Sequence, residues 1–351
     1  MAHPEHSHST GVNRAQLMML RGWLVLLMTV YHVMSITWLT QPSDFWVLRF
    51  VSGAFIFMSG LAWSGHPAGR RGWRLLVLFV LLNVAIDLSG FGNLDKSAWI
   101  GSQMPTLWDR VLWVLWTGHP SASSFGILLP IGLLLVATNA LSRYCAIFGK
   151  QSGFWLVAAI QGLLLGSGLL HASATLAWIS LGGWGLLLSL WLTLAHTNLQ
   201  QQDSSAPSAG LATMTRIHPS LRMTAGLIGM GLSLLFMTYA SSHPAAYAAG
   251  TVSMLGCLYL LVSPPVTTVF WRGWQGHLSR LGTYSLPLYI LQIVCIHSLW
   301  RLGYDHRLPG VPEGLLFLAT ILFVQSWLCE AWVRLRERSA WADRGYRLVF
   351  G

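Results

Sequence analysis

Charge is what this chain has least of. Of its 351 residues only 9% are charged, against roughly 25% in an ordinary soluble domain. Acidic residues are the scarcer sign, 11 against 21 basic ones. A soluble enzyme, a nucleic-acid-binding domain or a disordered protein needs a charged or well-solvated shell. This composition cannot supply one, so all three are excluded. Cysteine is sparse too. Cys145, Cys257, Cys295 and Cys329 lie in or beside apolar runs without metal-type spacing, and they read as packing thiols with no metal site. A signal peptide is not expected, because the first apolar run is too long and no small-residue cleavage site follows it.

What the chain has instead is apolar surface. Hydrophobic residues make up 54%, with 19 Trp, and the mean hydropathy is +0.55. The expected fold class is all-α, a polytopic membrane protein of about ten transmembrane helices. The apolar runs fall at 17–40, 45–65, 75–90, 122–141, 152–171, 174–196, 223–242, 245–263, 285–300 and 313–333; a crossing helix needs ~20 residues, and ~17 at the least.

The basic residues test this layout. With the N-terminus in the cytoplasm, the inward segments carry Arg14, the cluster Arg70, Arg71 and Arg74, then Arg143 and Lys150, Arg216 and Arg222, Arg272 and Arg280, and five arginines from Arg334 to Arg347. The outward segments carry only Lys96, Arg110, Arg301 and Arg307. Lys and Arg collect on the cytoplasmic side, so the split predicts ten spans with both termini inside. The domain plan is a tail at 1–16, a membrane domain at 17–333 with a polar linker at 198–210, and a basic cytoplasmic tail at 334–351. His3, His6 and His8 sit in the first tail, which reads as disordered rather than metal-binding. Segments 107–118 and 264–284 have the spacing of helices lying in the headgroup layer. No internal repeat of the transporter kind is evident.

An ionisable side chain inside a span costs ~2.5–3.5 kcal/mol at a helix centre and so marks a candidate site. Arg21 and His32 share the first run, eleven residues apart. That spacing is about three turns, so both fall on one helix face, ~16 Å apart along the axis, with Val25, Met28 and Ser35 completing the stripe. Each has a plainer reading: Arg21 snorkelling to headgroups, and His32 tied to a neighbouring helix. Arg49, Asp87, His297 and Glu330 are further candidates. For Glu330 the expected partner is Arg334, one turn on.

Four segments, in order, resemble the acyltransferase 3 superfamily of integral membrane acyltransferases. The first is Arg21-Gly22 followed by His32. The second is Val51–Gly60, ending in Ser59-Gly60. The third is Arg70-Arg71-Gly72-Trp73-Arg74-Leu75. The fourth is Leu281-Gly282-Thr283-Tyr284-Ser285-Leu286-Pro287-Leu288-Tyr289-Ile290-Leu291. Phe55–Gly60 and Gly126–Pro130 look most like the OpgC-like branch, the succinyltransferases of periplasmic glucans. The chain departs from the family pattern at Met18, where an acid is common, and at Gln292, where a histidine is common.

The resemblance implies transfer of an acetyl or succinyl group from cytoplasmic acyl-coenzyme A to a hydroxyl, usually on a glycan, in a bacterial inner membrane. Its implied roles are His32 as catalytic base, since an imidazole can take a hydroxyl proton at neutral pH, and Arg21, Arg70, Arg71 and Arg74 as the cationic mouth for the coenzyme phosphates. Arg49, Ser59 and Asp87 are weaker substrate candidates. Tyr31, Ser35 or Ser59 would position substrate or oxyanion. The expected partners are a glycan or other hydroxyl acceptor and membrane lipid, with no nucleic acid and no metal cofactor. The rival readings are a transmembrane N-acetyltransferase of the heparan-glucosaminide type and a non-enzymatic permease or flippase.

Overall fold

The computed structural model describes residues 14–37, 46–63, 68–88, 125–167, 174–203, 244–262, 269–301 and 311–350. Every element among them is helical: α1 (Arg14–Thr37), α2 (Trp46–Leu61), α3 (Gly69–Leu88), α4 (Leu128–Phe148), α5 (Lys150–Gly166), α6 (Ala174–Asp203), α7 (Pro244–Val262), α8 (Val269–Thr283), α9 (Ser285–Arg301), α10 (Val311–Arg338) and α11 (Ala340–Phe350). Nine of the ten expected apolar runs coincide with a helix. The run at 223–242, the segment at 107–118 and the tail histidines lie outside the described residues.

Among the described residues, four stretches are long and apolar enough to cross a membrane: Ala15–Val33, Leu128–Phe148, Thr175–Ala195 and Pro312–Arg338. Their outer faces carry large apolar side chains. Trp191 is 54% exposed, Leu316 70% and Phe323 71%. In water such surface would drive association, and lipid is the solvent that suits it. The chain is therefore a membrane protein.

Three boundaries differ from the sequence reading, each for a local reason. α3 starts at Gly69, well before the apolar run at 75, because Arg and Trp are adequate helix formers, no Pro separates them from Leu75, and Gly72 is held by its close packing on Gly132 and Val136. The arginine cluster is thus helical, not a loop. α6 continues to Asp203, so the first part of the expected linker is helix, since nothing from Asn198 to Asp203 interrupts it ahead of Pro207. The basic tail is helical: residues 334–338 end α10, and residues 340–350 form α11, with the Ser339 hydroxyl accepting the Ala342 N–H at 3.3 Å as an N-cap.

Close glycine contacts set the helix spacing. α8 lies along α1 in the most extensive contact of the fold, so it is packed into the bundle and does not merely rest in the headgroup layer. A Cβ on Gly282 would overlap the Met18 carbonyl, and one on Gly22 would overlap that of Leu278. Small residues let two helix backbones approach in this way, which matters in lipid, where dispersion contacts replace the hydrophobic drive. α8 passes into α9 through Tyr284, with Tyr284 N–H bonded to Arg280 O and Leu288 N–H to Tyr284 O, both at 3.0 Å. Pro287 has no N–H for the Thr283 carbonyl, and the Tyr346 hydroxyl of α11 donates to that oxygen at 3.4 Å.

Candidate functional site

A cavity of about 220 Å³ opens between α1, α2, α3, α4 and α9. α1 contributes Arg21 and Met28, two members of the stripe expected from the sequence. α3 contributes Arg71 and Leu75, one turn apart on a single face. α2 adds Phe55 and Ser59, and α9 adds Ser285 and Tyr289. The Ser59 hydroxyl donates to the Phe55 carbonyl at 2.8 Å, which keeps its oxygen on the cavity wall.

The electrostatics of this cavity are one-sided. Arg21 and Arg71 are close enough for their charges to repel. Among the described residues, no carboxylate lies within ion-pair distance of either. The Arg21 Nε is buried with no hydrogen-bond partner among the described residues. A guanidinium has five N–H donors in a rigid fork, suited to phosphate or carboxylate oxygens. Two of them sharing a wall, with no counter-ion among the described residues, have the chemistry to hold an anion.

Arg70 and Arg74, expected beside them, turn elsewhere. Arg70 is exposed and does not line the cavity. Arg74 Nη1 donates to the Arg347 carbonyl of α11 at 3.0 Å. Arg71 lies on the cavity wall; Arg70 is about 100° round the helix from it, and Arg74, about 60° round, is drawn to α11. Arg49 falls in α2 and Asp87 in α3, and their side chains lie outside the described residues, as does that of His297. Glu330 does not pair with Arg334. It accepts from Arg280 Nη1 of α8 at 2.6 Å, and His277 Nδ1 stands 3.5 Å away, because α8 packs against this face of α10.

His32 adjoins the cavity rather than lining it. Its ring lies one turn beyond Met28, with its centroid 6.3 Å from that of Tyr289 and 5.6 Å from that of Tyr31. It stands in a buried polar cluster that crosses three helices. Gln292 Nε2 of α9 is 2.7 Å from His32 Nδ1 and donates to the Met28 carbonyl at 3.1 Å. Thr29 Oγ1 lies 3.3 Å from Gln292 Oε1, 3.0 Å from the Val25 carbonyl and 2.7 Å from the Gln325 side-chain amide of α10. A hydroxyl has one proton and cannot donate to all three. Turning the Gln325 amide over places its otherwise unpartnered Nε2 on the Thr29 oxygen as donor, and leaves the hydroxyl proton for Val25 or Gln292.

The neutral members of this cluster were not among the sequence candidates, and neither was Trp63 on the cavity wall. Thr29, Gln292 and Gln325 are each buried. The available signal was an amide or hydroxyl in mid-run, on the face that also carries an ionisable group. Comparison of the chain with protein-family models, curated proteins and solved structures finds no match in any of the three.

Proposed function

We propose that this protein is a membrane-bound O-acyltransferase that moves an acetyl or succinyl group from cytoplasmic acyl-coenzyme A to a hydroxyl, on a glycan of the periplasm or cell surface. One observation carries the reading. Each of the four segments that resemble the acyltransferase 3 superfamily contributes to the same cavity: Arg21 from the first, Ser59 from the second, Arg71 and Leu75 from the third, and Ser285 and Tyr289 from the fourth. That segments so far apart in sequence share one wall supports the resemblance.

In the proposed reaction the acceptor oxygen bonds to the thioester carbonyl carbon, the carbon–sulfur bond breaks, and the hydroxyl proton leaves on the coenzyme thiol. Arg21 and Arg71 hold the anionic part of the donor. About 220 Å³ is below the ~300–1,000 Å³ typical of sites for whole drug-sized ligands, so this cavity takes a short acyl arm or a phosphate group rather than an entire nucleotide. His32 is the imidazole next to the reacting centre, and its part in the proton chemistry depends on its tautomer. The fold completing this reading has ten spans with both termini in the cytoplasm, in a bacterial inner membrane.

The test is purified protein in detergent or liposomes supplied with acetyl- or succinyl-coenzyme A. Release of free thiol that rises with a hydroxyl-bearing glycan acceptor supports the proposal. Acylation of an amine alone would favour the N-acetyltransferase reading, and binding without thiol release the permease.

A further inference from the structure

Gln292 decides what His32 can do. Its amide is oriented by the Met28 carbonyl, 3.1 Å from Nε2. With the amide reversed, Oε1 would face that carbonyl oxygen, two acceptors with no proton between them. Nε2 therefore points toward both Met28 and His32. It has two hydrogens, one for the Met28 oxygen and one for the His32 Nδ1 at 2.7 Å. Nδ1 must then accept, and a neutral imidazole whose Nδ1 accepts carries its proton on Nε2. Gln292 is only 2% exposed, so water does not compete for these bonds. Thr29 holds the other end of the amide through Oε1 at 3.3 Å.

We infer that Gln292 is a positioning residue that locks His32 as the Nε2–H tautomer, so that His32 presents a hydrogen-bond donor to the reacting centre rather than a base. This rests on the acyl-transfer reading for its purpose, though not for the tautomer itself. A donor beside the cavity suits the thioester carbonyl oxygen, which gains negative charge as the acceptor oxygen bonds to carbon. No proton passes to or from His32 in that role.

The tautomer is read directly by long-range proton–nitrogen correlation NMR on the full chain, labelled at histidine, with His32 identified by the signal missing in His32→Gln. The expected spectrum has the protonated nitrogen of His32 correlating with both ring carbon-bound protons, as Nε2 does, and the unprotonated one chiefly with Hε1. A His32 signal protonated on Nδ1 in the wild-type protein overturns the inference, whatever the protein's activity. Gln292→Leu, similar in size but without donors, should give a mixture of tautomers; an unchanged Nε2–H signal in that variant would remove Gln292 from the role. Gln292→Asn should keep part of the preference if it reaches Nδ1. In single-turnover acyl transfer, His32→Ala should lose ~10²–10³-fold, as when one oxyanion donor is removed, while His32→Gln, which keeps an N–H, should retain more of the rate. Equal loss in the two variants would return His32 to the role of base. No loss in either would make the cluster structural.

Discussion

The guanidinium of Arg336 stands 3.9 Å over the ring of Tyr346 and also holds Asp343, donating from Nε to Oδ1 at 3.0 Å. This contact fastens α11 back onto α10, and Arg74 extends the attachment to α3.

Asp343 makes that attachment depend on pH. The hydrogen bond from Arg336 holds its carboxyl below the ordinary carboxylate range, and the Arg347 guanidinium, 2.7 Å from Oδ2, acts in the same direction. A depressed folded-state value means that the stabilisation is present above the unfolded value of ~3.9 and is lost as pH falls through the lower, folded value. Protection of the α11 amides, taken relative to their intrinsic exchange rates, should therefore hold down to about pH 4 and fall below it. In Asp343→Asn the helix should exchange faster at neutral pH, and the acid step should vanish. A step of the same size in that variant would assign it to another group.

Replacing Arg21 or Arg71 by Ala should weaken acyl-coenzyme A binding by roughly ten- to a hundredfold. A charge-assisted hydrogen bond contributes ~1.5–3 kcal/mol, while acceptor affinity should hardly change. Arg70→Ala serves as the control, because that side chain, exposed like Arg71, lies off the cavity. Titration with a coenzyme analogue checks this; equal losses in all three variants would point to bulk surface charge instead of a built anion site.

Gly282→Ala should destabilise the bundle by ~1–3 kcal/mol, since the new Cβ would overlap the Met18 carbonyl and the strain falls on two backbones that cannot both relax. Gly162 meets nothing within 4 Å, so Gly162→Ala should be neutral or stabilising by up to ~1 kcal/mol. Thermal unfolding in a common detergent compares the two. Similar midpoints would mean that α1 and α8 are free to separate.

Cysteine labelling should report residues 70, 150, 205 and 272 on the same, cytoplasmic side, as the distribution of Arg and Lys demands. Labelling of position 205 from the opposite side would remove one span from the ten.

The sequence by itself determined the solvent and the elements. So few charges and so much apolar surface leave only lipid, and in lipid each backbone group must be satisfied within its own helix. That is why nine of the apolar runs appear as helices. It also determined that Arg21 and Met28 share a face, because that follows from 3.6 residues per turn alone. Only the tertiary structure decided which arginine of the 70–74 cluster meets Arg21, that Glu330 pairs with Arg280 and not Arg334, and that Gln292 orients His32. Those choices depend on how helices far apart in sequence rotate against one another, and close packing at Gly22, Gly282 and Gly72 sets that rotation. A neutral amide in an apolar run carries no sign of its partner until a second helix brings the partner within 3 Å.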